Sequence, residues 1–168
     1  GFDSPHGLLL HRESLYIADT GNHALLRLDL ASGQVQTLAG TGAPGVLDGN
    51  HHPDPLQTPL NRPWGLALDG ERLYISLSGV HQVWALDLGS GALVHVAGSG
   101  RMGHLDGHAR QAQLAYPAGL AVVQNTLYIV DSGSASLRRL ALNDEQVRTL
   151  VAGDVFAVGN GDGARENA

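Results

Sequence analysis

Nine histidines and sixteen carboxylates are the side chains of this 168-residue chain suited to acid–base or metal chemistry, and there is no cysteine to add thiolate chemistry. His6 sits in a Pro-x-Gly-Leu element, Pro5-His6-Gly7-Leu8, that recurs as Pro63-Trp64-Gly65-Leu66 and Pro117-Ala118-Gly119-Leu120. His51-His52-Pro53-Asp54, with Asp48 nearby, offers the nitrogen and oxygen donors that zinc or calcium takes. His104 and His108 flank Asp106-Gly107 and offer the same donors. Adjacent histidines in an extended segment point to opposite sides, so no tetrahedral spacing is fixed. An exposed insertion loop accounts better for the histidine pair, and the same discount applies to His104 and His108.

The remaining carboxylates follow the repeat. Asp48-Gly49, Asp106-Gly107 and Asp162-Gly163 occupy equivalent loops. Three copies of a catalytic acid make little sense, whereas an aspartate accepting backbone N–H groups beside a turn glycine is what a recurrent turn requires. Asp19 and Asp131 end equivalent segments and are placed to accept orphan amides of the next turn. Leu77 replaces them in the middle copy, which argues against a shared catalytic duty. No Gly-x-Ser-x-Gly element is present, and Gly79, Gly89 and Gly91 lie in hairpin turns rather than a phosphate loop. The expectation is therefore no catalytic, cofactor-binding or metal-ligating residue, and no cofactor.

The elements that must hold these residues form a threefold repeat. Each Pro-x-Gly-Leu is followed by Leu-Tyr-Ile (Leu15–Ile17, Leu73–Ile75, Leu127–Ile129), with the same offsets of 58 and then 54 residues. A repeat that keeps its register is read as a repeat architecture first. Each copy carries four short apolar segments separated by Gly, Asp, Asn or Ser, the pattern of antiparallel strands with tight turns. Asp69-Gly70 is a two-residue hairpin signal. Leu8-Leu9-Leu10 and Ala121-Val122-Val123 are apolar on both faces, as in sheets packed between other sheets. Four-stranded sheets stacked face to face are the blades of a β-propeller. The fold class is all-β, with blades at residues 1–62, 63–116 and 117–168 and no independent second domain. Ala109–Leu114 spaces small and apolar residues for one helical turn before the third blade, and 164–168 is its counterpart.

All ten basic residues are arginines and the net charge is −6, a balance that repels nucleic acid and anionic membrane surfaces unless arginines cluster. No arginine run exceeds Arg138-Arg139, and no apolar stretch approaches the ~20 residues of a membrane helix. Neither nucleic acid nor membrane is an expected partner. Any compartment is compatible with the absence of cysteine, the cytoplasm being favoured.

Pro-x-Gly-Leu, then Leu-Tyr-Ile-Ala-Asp-Thr-Gly-Asn-His (residues 15–23), a strand ending in Leu-Asp, Leu-Ala-Gly-x-Gly and a later Asp-Gly together resemble NHL repeats, in the long form found beside thioredoxin-like domains. The second copy departs at Leu77-Ser-Gly-Val-His81 and the third at Asp131-Ser-Gly-Ser-Ala135. The resemblance implies a six-bladed propeller used as a binding platform for a protein or peptide. His6 and Trp64, at the start of the innermost strands near the channel mouth, are candidate contacts, with Arg101, His104 and Arg110 of the long loops. Some NHL domains bind single-stranded RNA on a basic surface, and the acidity here departs from that. Lyases and lactonase-like hydrolases on six-bladed propellers, with a metal in the channel, imply the alternative of an enzyme. Only His6 is placed for that role.

In repeat phase Gly1 corresponds to Gln113 and Ala168 to Ala112, so the ends of two copies would abut. Three blades leave two open apolar faces. Two chains about a two-fold axis would close both into a six-bladed ring, and a homodimer is the expected scaffold. The alternatives are a fragment that pairs with a missing half, or an engineered propeller piece with no separate activity.

Overall fold

The computed structural model describes residues 1–47 and 51–152. Asp48-Gly49, Gly153, Asp162-Gly163 and the turn expected at 164–168 lie outside the described residues. The strands form three antiparallel sheets, one per repeat. The first runs β1 (Pro5–His11), β2 (Ser14–Asp19), β3 (Ala24–Asp29), β4 (Val35–Ala39). After β5 (His51–His52), the second comprises β6 (Pro63–Asp69), β7 (Arg72–Leu77), β8 (Gln82–Asp87) and β9 (Leu93–Ala97). After β10 (Gly107–His108), the third comprises β11 (Pro117–Val123), β12 (Thr126–Asp131), β13 (Ser136–Ala141) and β14 (Gln146–Ala152). β6 packs against both β1 and β11, so the first strand of each sheet lies at the inner edge, and the sheets are blades of a β-propeller.

The second and third sheets have five strands rather than the expected four, in the orders β5-β9-β8-β7-β6 and β10-β14-β13-β12-β11. The passage after one blade lends two residues to the outer edge of the next. His51 and His52 pair with Val94 and Leu93, and Gly107 and His108 with Val147 and Gln146. An outer strand otherwise ends on unpaired N–H and C=O groups. His51-His52 is thus a strand rather than a plain exposed loop, with the His52 ring 5.3 Å from that of Trp84. Ala109–Gln111 does form one turn, closed by Ala112 N–H donating to His108 O.

The Pro-x-Gly glycines owe their identity to blade packing. A Cβ on Gly7 would lie 2.1 Å from the Trp64 carbonyl oxygen, and one on Gly65 would lie 2.1 Å from that of Ala118. The next blade's inner strand therefore crosses directly over each glycine. Gly119 meets nothing closer than its own blade's Val130 at 3.4 Å. The middle blade is buried on both faces, with Tyr74, Ile75, Trp84 and Leu86 all inside. The outer two blades each keep one face open. Leu8 is 64% exposed, whereas its equivalent Leu66, covered by blade one, is 9% exposed. On the opposite side Val123 and Val130 are exposed beside Gly119 and Ala121.

Blade three also holds a buried ionic network. Arg138, fully buried, donates through Nη1 to Asp131 Oδ2 (3.0 Å) and Gln113 O (3.2 Å), and through Nη2 to Asp106 Oδ1 (2.6 Å) and Leu105 O (3.1 Å). Asp131 also accepts from Ala115 N–H (2.6 Å) and the Ser134 hydroxyl (2.8 Å). Asp106 is therefore more than a turn residue, because it accepts from Thr149 N–H and Oγ1–H, each at 2.9 Å, across to β14. Burial pulls its carboxyl up, but these donors and Arg138 outweigh that and hold it below the usual 3.8.

Candidate functional site

The inner strands bring their first residues together at one mouth. His6 and Trp64 stack with ring centroids 3.6 Å apart and planes 28° apart. The Thr20 hydroxyl donates to Pro63 O (2.5 Å), so its oxygen accepts from His6 Nδ1–H (3.1 Å), which also donates to Ser4 O (2.8 Å). With the proton fixed on Nδ1, Nε2 is the ring's remaining acceptor. Between blades two and three the mouth opens into a cavity of about 330 Å³ lined by Arg62, Trp64, Ser78, Tyr116, Ala118 and Ser132. The Ser78 and Ser132 hydroxyls are turned inward, donating to Arg62 O (3.1 Å) and Tyr116 O (2.7 Å).

Arg62 and Tyr116 are residues that sequence reasoning missed. With Ser4 they occupy the position just before each strand-opening proline, at φ values of 53°, 54° and 48°. The histidine of the Asn-His element secures this conformation from the preceding blade. His23 Nδ1 accepts the N–H of Arg62 and His81 Nδ1 that of Tyr116, both at 3.2 Å. The His81 ring stands edge-on to Tyr116 at 4.8 Å. The signal was present as a His in each of two repeats and a residue preceding Pro in all three. Ala135 holds the histidine position in blade three at φ 48° and can offer no such acceptor.

Arg101, His104 and Arg110 lie elsewhere, on the exposed passage that straps blade three. His104 Nε2 meets Thr149 Oγ1 at 3.0 Å on β14, on the side of the sheet away from β11. Arg110 lines a second crevice of about 220 Å³ with Arg72, His95 and Glu145. The structure thus brings His6 and Trp64 together and leaves the three loop residues outside that mouth. Asp54 accepts from Leu56 N–H (3.1 Å) to cap a short turn, and His108 Nε2 lies 3.0 Å from Glu145. Among the described residues no three His, Asp or Glu side chains converge as a metal site, and no helix is long and apolar enough to cross a membrane.

Burial disfavours the charged form of two histidines, one half-buried and one buried. Burial pushes His81 below 6.5, partly offset by Asp131. Burial also pushes His95 down, against its hydrogen bonds to Gly98 O (2.8 Å) and Ala97 O (3.2 Å). The unfolded chain therefore takes up protons on both residues near pH 6.5 while the fold resists. Their contribution is present above that pH and is lost as pH falls through the lower folded values. Urea unfolding should show a lower midpoint at about pH 5 than at about pH 7.5, and equal midpoints would refute this coupling.

No protein-family model matches the chain. Over 99% of its length it is 34% identical to NHL repeat-containing protein 2 of Gallus gallus and 32% identical to the protein of that name in Homo sapiens. It spans 27% of the length of either relative. Among solved structures, a structural genomics protein of unknown function from Bacteroides thetaiotaomicron shares the fold with a TM-score of 0.63 and 18% identity, over 81% of this chain and 32% of that one.

Proposed function

We propose that this chain, whose three repeats resemble those of NHL-repeat β-propellers along its length, is a non-catalytic protein-interaction module. It is half of a six-bladed ring that a second copy completes. The observation that carries the reading is the match between the two open faces. Gly119, Ala121, Val123 and Val130 occupy on blade three the places that Gly7, Leu9, His11 and Ala18 occupy on blade one, where blade two is received. Leu8 and Leu10, both 64% exposed, occupy the places of Leu66 and Leu68, which blade one covers. Each face is thus one half of a junction already built twice within the chain, and a two-fold axis brings the halves together twice.

The mouth then presents two sets of Trp64, Tyr116 and Arg62 about one axis. These residue types dominate interface hot spots, and the guanidinium beside aromatic rings suits an acidic or aromatic side chain of a bound peptide. A metal-centred enzyme would need several ligands on the channel, and His6 alone is placed there by the repeat.

Leu8→Asp tests the junction. Burying a leucine contributes about 1.5–3 kcal/mol, and the dimer buries two copies of Leu8. Sedimentation should show the dimer dissociation constant raised by about 100-fold or more. An unchanged constant would refute the junction.

A further inference from the structure

We propose that the outer edge of blade one, β4, is a strand-acceptor site that receives the Asp162-Gly163 passage of a second copy as its fifth strand. The inference rests on the half-ring reading above and names the contact that closes it. β9 and β14 each pair with two residues from the passage after the preceding blade, whereas β4 has no such partner among the described residues. Val35 on β4 is 52% exposed, and its equivalents Leu93 and Val147 are fully buried. Beside it lies an open groove of about 550 Å³ whose walls include Phe2, Leu26, Val35, Thr37 and Gly42. In blade three the equivalent of Leu26, Arg138, lies against Leu105, Asp106 and Gln113 of the preceding passage, and in blade two Trp84 lies beside His52 of the added strand.

Repeat phase identifies the occupant. Asp106-Gly107, which supplies the strand to blade three, recurs 56 residues later as Asp162-Gly163. Within the described residues β6 stands between β1 and β11, so in the half-ring blade one follows blade three across the junction with the second copy. The chemistry at the acceptor matches. Asp106 accepts from the amide and hydroxyl of Thr149, and the residue equivalent to Thr149 on β4 is Thr37. Thr37 is exposed, so its amide and hydroxyl are the donors that Asp162 takes. Leu26 stands where blade three has Arg138, so the threonine donors act here without a guanidinium. The ladder groups of β4 supply the rest of the contact, as in other strand additions.

The absence of cysteine allows a clean test. Thr37→Cys chains are mixed with Asp162→Cys chains under mild oxidation, and the products are read by non-reducing electrophoresis and native mass. The proposal expects a 37–162 disulfide dimer in excess over 37–37 and 162–162 products. A non-covalent dimer lacking the 37–162 link would overturn the strand-acceptor site and leave the half-ring standing. Monomers without the link would overturn both. Independently of any cysteine, Asp162→Ala should raise the dimer dissociation constant about tenfold or more, and an unchanged constant would overturn the site.

Discussion

Asp131→Leu is expected to destabilise the chain by about 3–5 kcal/mol, because it removes one partner of a buried ion pair and strands the Ala115 amide. That is a large share of the roughly 5–15 kcal/mol that holds a domain of this size together. Arg138→Leu alone should cost a similar amount, since it leaves Asp131 as a buried charge and frees the Gln113 and Leu105 carbonyls. The double variant should recover much of the loss. Blade two carries the apolar solution at the same places, Leu77 for Asp131 and Trp84 for Arg138, and Val80 for Ser134. Blade one carries a third arrangement, in which Asp19 accepts Asp3 N–H (2.8 Å) and Asn22 Nδ2–H (2.9 Å) opposite an apolar Leu26. The three positions therefore change together, and a double-mutant cycle by urea unfolding should give a coupling of about 2 kcal/mol or more. Simple additivity of the two single losses would refute it.

These compensations mark the boundary of what the sequence could tell. The strands, the hairpins and the inner Pro-x-Gly segments were legible because each carries a local rule that repeats in register. Asp19 and Asp131 were legible as amide acceptors, but the amides they take are those of Asp3 and Ala115, ahead of the inner strand, rather than those of the next turn. Arg138 was not, since a polar residue in a strand reads as solvent-facing until the loop that covers it is placed. The fifth strands were hidden too, because His51-His52 and Gly107-His108 are too short to show a period and their partners lie in the next repeat. At the mouth, His6 and Trp64 could be aligned by the repeat. Arg62 and Tyr116 could not be assigned, since their role comes from a left-handed backbone fixed by a histidine in the neighbouring blade.

Gly119→Ala separates three isolated blades from half of a ring. The backbone at Gly119 lies outside the left-handed region, and its own blade comes no nearer than 3.4 Å, so alanine is free of strain within one chain. Three isolated blades would accept it silently or gain about 0.5–1 kcal/mol from the lost glycine flexibility. In a ring, the His6 carbonyl of the second copy crosses Gly119 as the Trp64 carbonyl crosses Gly7, at a distance no Cβ tolerates. Overpacking of that kind costs about 1–3 kcal/mol at each junction. With two junctions the dimer should weaken about 100-fold or more. Gly65→Ala serves as the positive control, because its clash with Ala118 lies inside the chain and must lower thermal stability in any assembly.

The native mass of the unmodified chain, measured by light scattering at micromolar concentration, bears on this account most directly. Half of a closed ring predicts a particle of twice the 17.6 kDa chain mass, which Gly119→Ala converts to single chains. A stable 17.6 kDa particle, unchanged by Gly119→Ala, would contradict it.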